Sequence, residues 1–217
     1  MSSIIGHTIT GLGIYAATQP LKKLTWRDIA LHDSALCDIA LCDLLWPGWL
    51  IVVALAPDLD YFFPSLYVRD ASMGILRITH SLVGCLLLPL LTCLVLWQLK
   101  LARKTRRLYA VQVILAGLSH LVMDLLVGVA SLPLLWPFTE QRFRLPFGIL
   151  PSGPSFRLDN VYMYRNLLME VGVLVPLYAG IYLARFAKLD GRKRTLGSAA
   201  LWLCSLGFMG WAYTLAR

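Results

Sequence analysis

Apolar runs long enough to cross a bilayer alternate along this chain with short polar segments. A hydrocarbon layer of about 30 Å needs roughly 20 predominantly apolar residues in helical form. Six segments approach that length: 4–20, 44–63, 78–99, 108–130, 166–185 and 196–215. The first is short and glycine-rich, and the second is interrupted by Pro57. Backbone groups in lipid must find partners within their own segment or in a closed barrel, and the alternating strand pattern of a barrel is missing. The pattern therefore predicts an all-α, polytopic membrane protein with six transmembrane helices in a single domain, 1–217. Segment 131–165 breaks the pattern with Pro133, Pro137, Pro151 and Pro154 among Phe138, Phe143, Phe147 and Phe156, and is expected to form an irregular interfacial cap. The stretch before the second span, where Leu41-Cys42-Asp43 echoes Leu36-Cys37-Asp38, is expected to be a solvated inner loop. Copies five residues apart point about 140° away from one another on a helix, so they make no shared face.

Composition supports the membrane reading and removes others. Hydrophobic residues make up 58% of the chain, charged ones 15%, and the mean hydropathy is +0.68, against about 25% charged in a soluble domain. The net charge of +8 suggests nucleic acid only if the basic residues share a face. They fall instead in loops between apolar runs, so no nucleic-acid partner is expected. Lys22, Lys23 and Arg27, then Lys100, Arg103, Lys104, Arg106 and Arg107, then Arg185, Lys188, Arg192, Lys193 and Arg194 place 13 of the 20 basic residues on one side of a six-span topology. The positive-inside rule makes that side cytoplasmic, as in a multi-pass protein of the bacterial inner membrane. The termini, 57–77 and the cap then face the periplasm. The five cysteines show no CxxC spacing and read as small hydrophobes. The N-terminus carries no cationic region ahead of its apolar stretch, so the first segment is expected to stay.

Seven ionisable residues lie within or beside the spans: His7, Asp58, Asp60, His80, His120, Asp124 and Glu170. A charge at the bilayer centre costs about 2.5–3.5 kcal/mol on insertion scales, so such groups pair or line a wet site. At about 1.5 Å per helical residue, His120 lies about 20 Å beyond Arg107, His7 about 22 Å from Lys22, and Glu170 about 22 Å from Arg185. Five spans thus deliver acids or imidazoles to one slab in the outer half of the membrane. His120 and Asp124 are four apart and share a helix face, which suits one metal or equally a His–Asp hydrogen bond. Asp58 and Asp60 flank the break at Pro57, as bridging carboxylates or as a solvated turn. His80 sits between Thr79 and Ser81, either of which can cap the helix that follows. Three imidazoles and four carboxylates exceed the three protein ligands of a catalytic zinc. A pair of divalent ions accommodates them better, with zinc, manganese or iron all compatible with nitrogen and oxygen donors.

Gly6-His7-Thr8, Ala56-Pro57-Asp58-Leu59-Asp60, Arg77-Ile78-Thr79-His80-Ser81-Leu82, Gly117-Leu118-Ser119-His120-Leu121-Val122-Met123-Asp124 and Leu134-Leu135-Trp136-Pro137-Phe138 together resemble a family of bacterial inner-membrane metal-dependent hydrolases grouped with a LexA-regulated member. The resemblance implies a helical hydrolase with metal held by His7, Asp58 or Asp60, His80, His120 and Asp124. More distantly, the order His, Asp, His, HxxxD is similar to the zinc-dependent phospholipase C and P1 nuclease superfamily. The chain departs from that pattern where HxxxE is expected and Asn166 and Glu170 stand instead, and no His follows soon after Asp124.

These readings lead to an expected activity, hydrolysis of a phosphoester in a membrane lipid headgroup at the outer leaflet. Divalent ions would lower the pKa of a water toward 7 and neutralise phosphoryl oxygens. Asp58 or Asp60 would orient or deprotonate the water, with His80, His120 and Asp124 completing the catalytic set. Arg77, Arg142, Arg144 and Arg157 on the outer side can grip phosphate bidentately or snorkel to headgroups. Two rivals remain: an ion-coupled transporter, which predicts paired repeats that the chain lacks, and a structural protein whose metal only fastens helices.

Overall fold

The computed structural model describes residues 3–19, 34–61, 63, 67–70, 74–129, 131–152 and 159–215. Its helices are α1 (Ile4–Thr18), α2 (Ser34–Leu55), α3 (Leu82–Gln98), α4 (Arg103–Val127), α5 (Val161–Phe186) and α6 (Gly191–Tyr213). Among the described residues, three helices, α4, α5 and α6, are long and apolar enough to cross a membrane, and α3 is a shorter apolar helix.

Several boundaries differ from the expected spans, each for a local reason. The second helix starts at Ser34 and ends at Leu55, so the backbone of 34–43, expected as solvated loop, is helical. It stops short of Pro57, which has no backbone N–H to continue the helical ladder. The chain tightens there into a 3-10 turn, Ala56–Tyr61. The third segment opens with a second 3-10 turn, Ile78–His80, and α3 starts only at Leu82. Ser81 caps it, its Oγ accepting the Gly84 N–H at 3.0 Å.

Between the two turns the chain makes a two-stranded antiparallel ribbon, β1 (Tyr67–Asp70) and β2 (Gly74–Arg77), with Tyr67 opposite Arg77. The other regular elements of the described chain are helical, as expected, with this ribbon as a small addition. Branched and aromatic residues such as Tyr67, Val68 and Ile75 favour extended pairing, and a hairpin satisfies their backbone locally.

The cap is also shorter than expected, because α5 begins at Val161 behind Asn160, whose side chain accepts the Tyr162 N–H at 3.1 Å. Leu132 and Phe143 exchange both backbone hydrogen bonds at 2.8 Å, and Ile149 and Leu150 donate to the Leu126 carbonyl at 2.9 and 3.1 Å. Gly128 ends α4 at φ +69°, and a Cβ there would collide with the Phe147 carbonyl.

Helix α1 packs against α2, α4 and α5, while α3 lies on α4 and α6 on α5. Ile14 and Tyr15 of α1 meet Leu50 and Val53 of α2 and Val113 and Ala116 of α4 in one buried cluster. Met123 and Val127 meet Leu150, Val173 and Leu174 in another. The buried Gln112 is satisfied by Trp46 Nε1 at 2.6 Å and Thr18 Oγ at 2.7 Å, as a polar group in an apolar interior must be. Leu87, Leu90, Leu91 and Leu94 of α3 and Leu203 and Leu206 of α6 point outward and exposed, the arrangement that lipid favours and water does not. The up-and-down order brings the start of α1, the end of α2, the start of α3, the end of α4 and the start of α5 together at one end of the bundle.

Candidate metal centre

Four elements each deliver a side chain to that end. His7 comes from the second turn of α1, Asp58 from the 3-10 turn after α2, His80 from the turn before α3, and His120 with Asp124 from the last two turns of α4. The three imidazoles and Asp124 are fully buried, and Asp58 keeps 13% of its side chain exposed. Buried charge on this scale costs several kcal/mol unless it is paired or coordinated.

The separations follow a pattern. Asp58 Oδ1 lies 3.5 Å from His80 Nε2 and 3.7 Å from His120 Nε2. Asp124 Oδ2 lies 3.6 Å from each of those two nitrogens. The opposite oxygen of each carboxylate turns to His7: Asp58 Oδ2 is 3.9 Å and Asp124 Oδ1 3.8 Å from His7 Nε2. The rings of His7 and His120 stack with centroids 4.0 Å apart. All these contacts are too long for hydrogen bonds. They are close to the edge of a coordination tetrahedron, about 3.4 Å for bonds of about 2.0–2.1 Å. His80 Nε2, His120 Nε2 and Asp58 Oδ1 are moreover buried without a hydrogen-bond partner, a condition that native structures rarely tolerate. Sets of His7, Asp58 and His120, and of His80, His120 and Asp124, lie close enough to hold a metal ion. The donor set is nitrogen and oxygen without thiolate, which fits a divalent ion such as zinc, manganese or iron.

Two of the imidazoles are oriented from behind. His120 Nδ1 is 2.8 Å from the Ala54 carbonyl, which only accepts, so Nδ1 carries the proton and Nε2 presents its lone pair to the carboxylates. His80 Nδ1 lies 3.3 Å from Asp60 Oδ2 and 3.1 Å from Thr79 Oγ, and the Thr79 hydroxyl donates to Asp60 Oδ2 at 2.9 Å. Thr79 spends its one hydrogen on Asp60 and can only accept from His80, so His80 too is protonated at Nδ1. Such rear contacts hold ligating histidines in place in metal sites generally.

The expected site residues thus divide. His7, Asp58, His80, His120 and Asp124 converge. Asp60, expected among the donors, stands behind His80, with Arg77 Nη1 3.9 Å from its Oδ1. Glu170, also expected as a ligand, is placed at the start of α1, where it accepts the Ser3 N–H at 3.0 Å and the Ser3 hydroxyl. Ser3 in turn caps α1 by accepting the Gly6 N–H at 3.0 Å. A carboxylate at a helix N-terminus gains from the helix dipole, and a Cβ at Gly6 would push that carboxylate aside.

Arg77 lies over the Tyr61 ring, 4.3 Å from its centroid. Arg144 donates from Nε to the Gly128 carbonyl at 3.0 Å, tying the cap to the end of α4, and Arg142 is half-buried beside Phe143. Arg157 lies outside the described residues. The sequence alone does not reveal the orienting roles of Thr79 and the Ala54 carbonyl. Thr79 was adjacent to His80 in sequence but was read only as a cap, and a backbone carbonyl leaves no trace in sequence.

The model of the family described as YdjM inner membrane protein matches residues 1–214. The chain belongs to that family. The match takes in every element that contributes to the YdjM-family cluster, from His7 to Asp124, and agrees with the apolar, exposed helices as those of an inner membrane protein. Neither a curated protein nor a solved structure matches the chain.

Proposed function

We propose that the chain is a membrane-embedded, metal-dependent hydrolase that cleaves a phosphoester in a membrane lipid headgroup. The observation that carries the reading is the split of two carboxylates, each with one oxygen toward His80 and His120 and the other toward His7. Divalent ions would suit that division, held by His7, Asp58, His80, His120 and Asp124. When bound, the ions supply Lewis acidity toward a phosphoryl oxygen and lower the pKa of a water.

The protein's own groups do the rest. His120 and His80, fixed at Nδ1, present unprotonated Nε2 atoms. Asp58, partly exposed, is the carboxylate nearest to solvent and would help to hold and orient the attacking water beside the ions. Arg77, spread over Tyr61 at the rim with 29% of its side chain exposed, offers its guanidinium to the phosphate. The order of the donors along the chain is similar to that of phospholipase C and P1 nuclease enzymes, without the residues for a third ion.

In this reading the six apolar segments all span. The end of the bundle carrying Lys100, Arg103, Lys104, Arg185, Arg192 and Lys193 faces the cytoplasm, and the metal end faces the periplasmic leaflet, where the lipid substrate lies. The test is to purify the protein, measure bound metal, and assay phosphate or headgroup release from a panel of phospholipids beside His120→Ala. Turnover lost in the variant supports the hydrolase. Bound metal with no turnover on any phosphorylated lipid favours a structural ion, and ion flux abolished by His120→Ala favours transport.

A further inference from the structure

We infer that Asp60 is a positioning residue for His80 and not a metal ligand, an inference that rests on the proposed metal-dependent reading. Asp60 is fully buried; the contacts of its Oδ2 lie away from the ion-facing donors, and its Oδ1 makes no hydrogen bond. Its Oδ2 takes the Thr79 hydroxyl at 2.9 Å and faces His80 Nδ1 at 3.3 Å. Its Oδ1 faces the Arg77 guanidinium at 3.9 Å. Asp58, two residues earlier, instead meets the Nε2 atoms of His7, His80 and His120.

The difference follows from the turn. Successive residues of a 3-10 helix step by about 120°, so residues two apart point along directions about 120° from one another, and one turn sends two carboxylates to opposite edges of the same imidazole. Asp60 thereby fixes the His80 ring and its tautomer, and links the ring to Arg77 at the rim. The pair Asp58-Leu59-Asp60 is a donor and its support, alternating with exposed Leu59 and Tyr61.

The test compares Asp58→Asn, Asp60→Asn and Thr79→Val with wild type, all purified in detergent, by metal stoichiometry and by zinc affinity in competition with a chromophoric chelator. Loss of a rear partner typically weakens affinity by about 10–100-fold. Asp60→Asn is expected to keep the wild-type number of ions and lose about 10-fold or more in affinity, with Thr79→Val moving the same way by less. Asp58→Asn is expected to lose ions outright. Loss of ions by Asp60→Asn to the same extent as Asp58→Asn would make Asp60 a ligand and overturn the inference. Unchanged affinity in both Asp60→Asn and Thr79→Val would also overturn it. Should Asp60→Asn fail to fold, Thr79→Val carries the comparison alone. Wild type that binds no metal would instead sink the hydrolase reading, a result separable from either.

Discussion

Removal of metal should cost this protein much of its stability, and the size of the loss can be set from the buried atoms. His80 Nε2, His120 Nε2 and Asp58 Oδ1 have no hydrogen-bond partner, and each such atom left without water or ligand costs about 1–3 kcal/mol. Three of them amount to about 3–9 kcal/mol that a bound ion relieves. Linkage gives a similar scale, since ligand at about 1,000 times its dissociation constant stabilises by about 4 kcal/mol. For a chain of about this size 1 kcal/mol moves Tm by roughly 2–4 °C, so chelation should lower Tm by on the order of 10 °C, and added zinc should restore it. His120→Ala removes the nitrogen that faces both carboxylates and the hydrogen bond to Ala54, and should retain less than half of that metal-dependent shift. The assay is tryptophan fluorescence during heating in detergent, with and without chelator. Equal melting of wild type in both conditions, or an undiminished shift in His120→Ala, would refute the argument from unsatisfied donors.

Other changes test neighbouring parts of the argument. Glu170→Gln should weaken the start of α1 by about 1–3 kcal/mol, seen as a lower Tm, while the number of bound ions stays at the wild-type value; loss of an ion would return Glu170 to the ligand set. Arg77→Ala should raise KM for a phospholipid by roughly 10-fold or more, as expected for a charge-assisted contact of about 1.5–3 kcal/mol, with metal content unchanged. Unaltered KM would remove Arg77 from the substrate site.

How far the sequence carried these conclusions depends on backbone form. His120 and Asp124 share a face of a regular helix, so their spacing translated directly into the 3.6 Å approach of nitrogen and oxygen. The donors at 58 and 60 did not translate, because Pro57 starts a turn whose angular step differs from that of a helix, and the two carboxylates then part. Rise along a helix fixes height and not direction, so depth counting could not tell that Glu170 meets Ser3 at the start of α1. The ribbon over 67–77 escaped notice because four-residue strands fall below the length at which alternation stands out. The early start of α2 escaped because Asp38 and Asp43 interrupt its apolar pattern.

Every ion-facing side chain lies between positions 7 and 124, on α1 to α4 and their connections, whereas α5 contributes Glu170 as the fastening for α1. During synthesis, therefore, the complete set of donors has left the ribosome while the last two helices are still being made. If the site binds cations as proposed, the nascent chain holds all of their donors before α5 brings Glu170 to the start of α1.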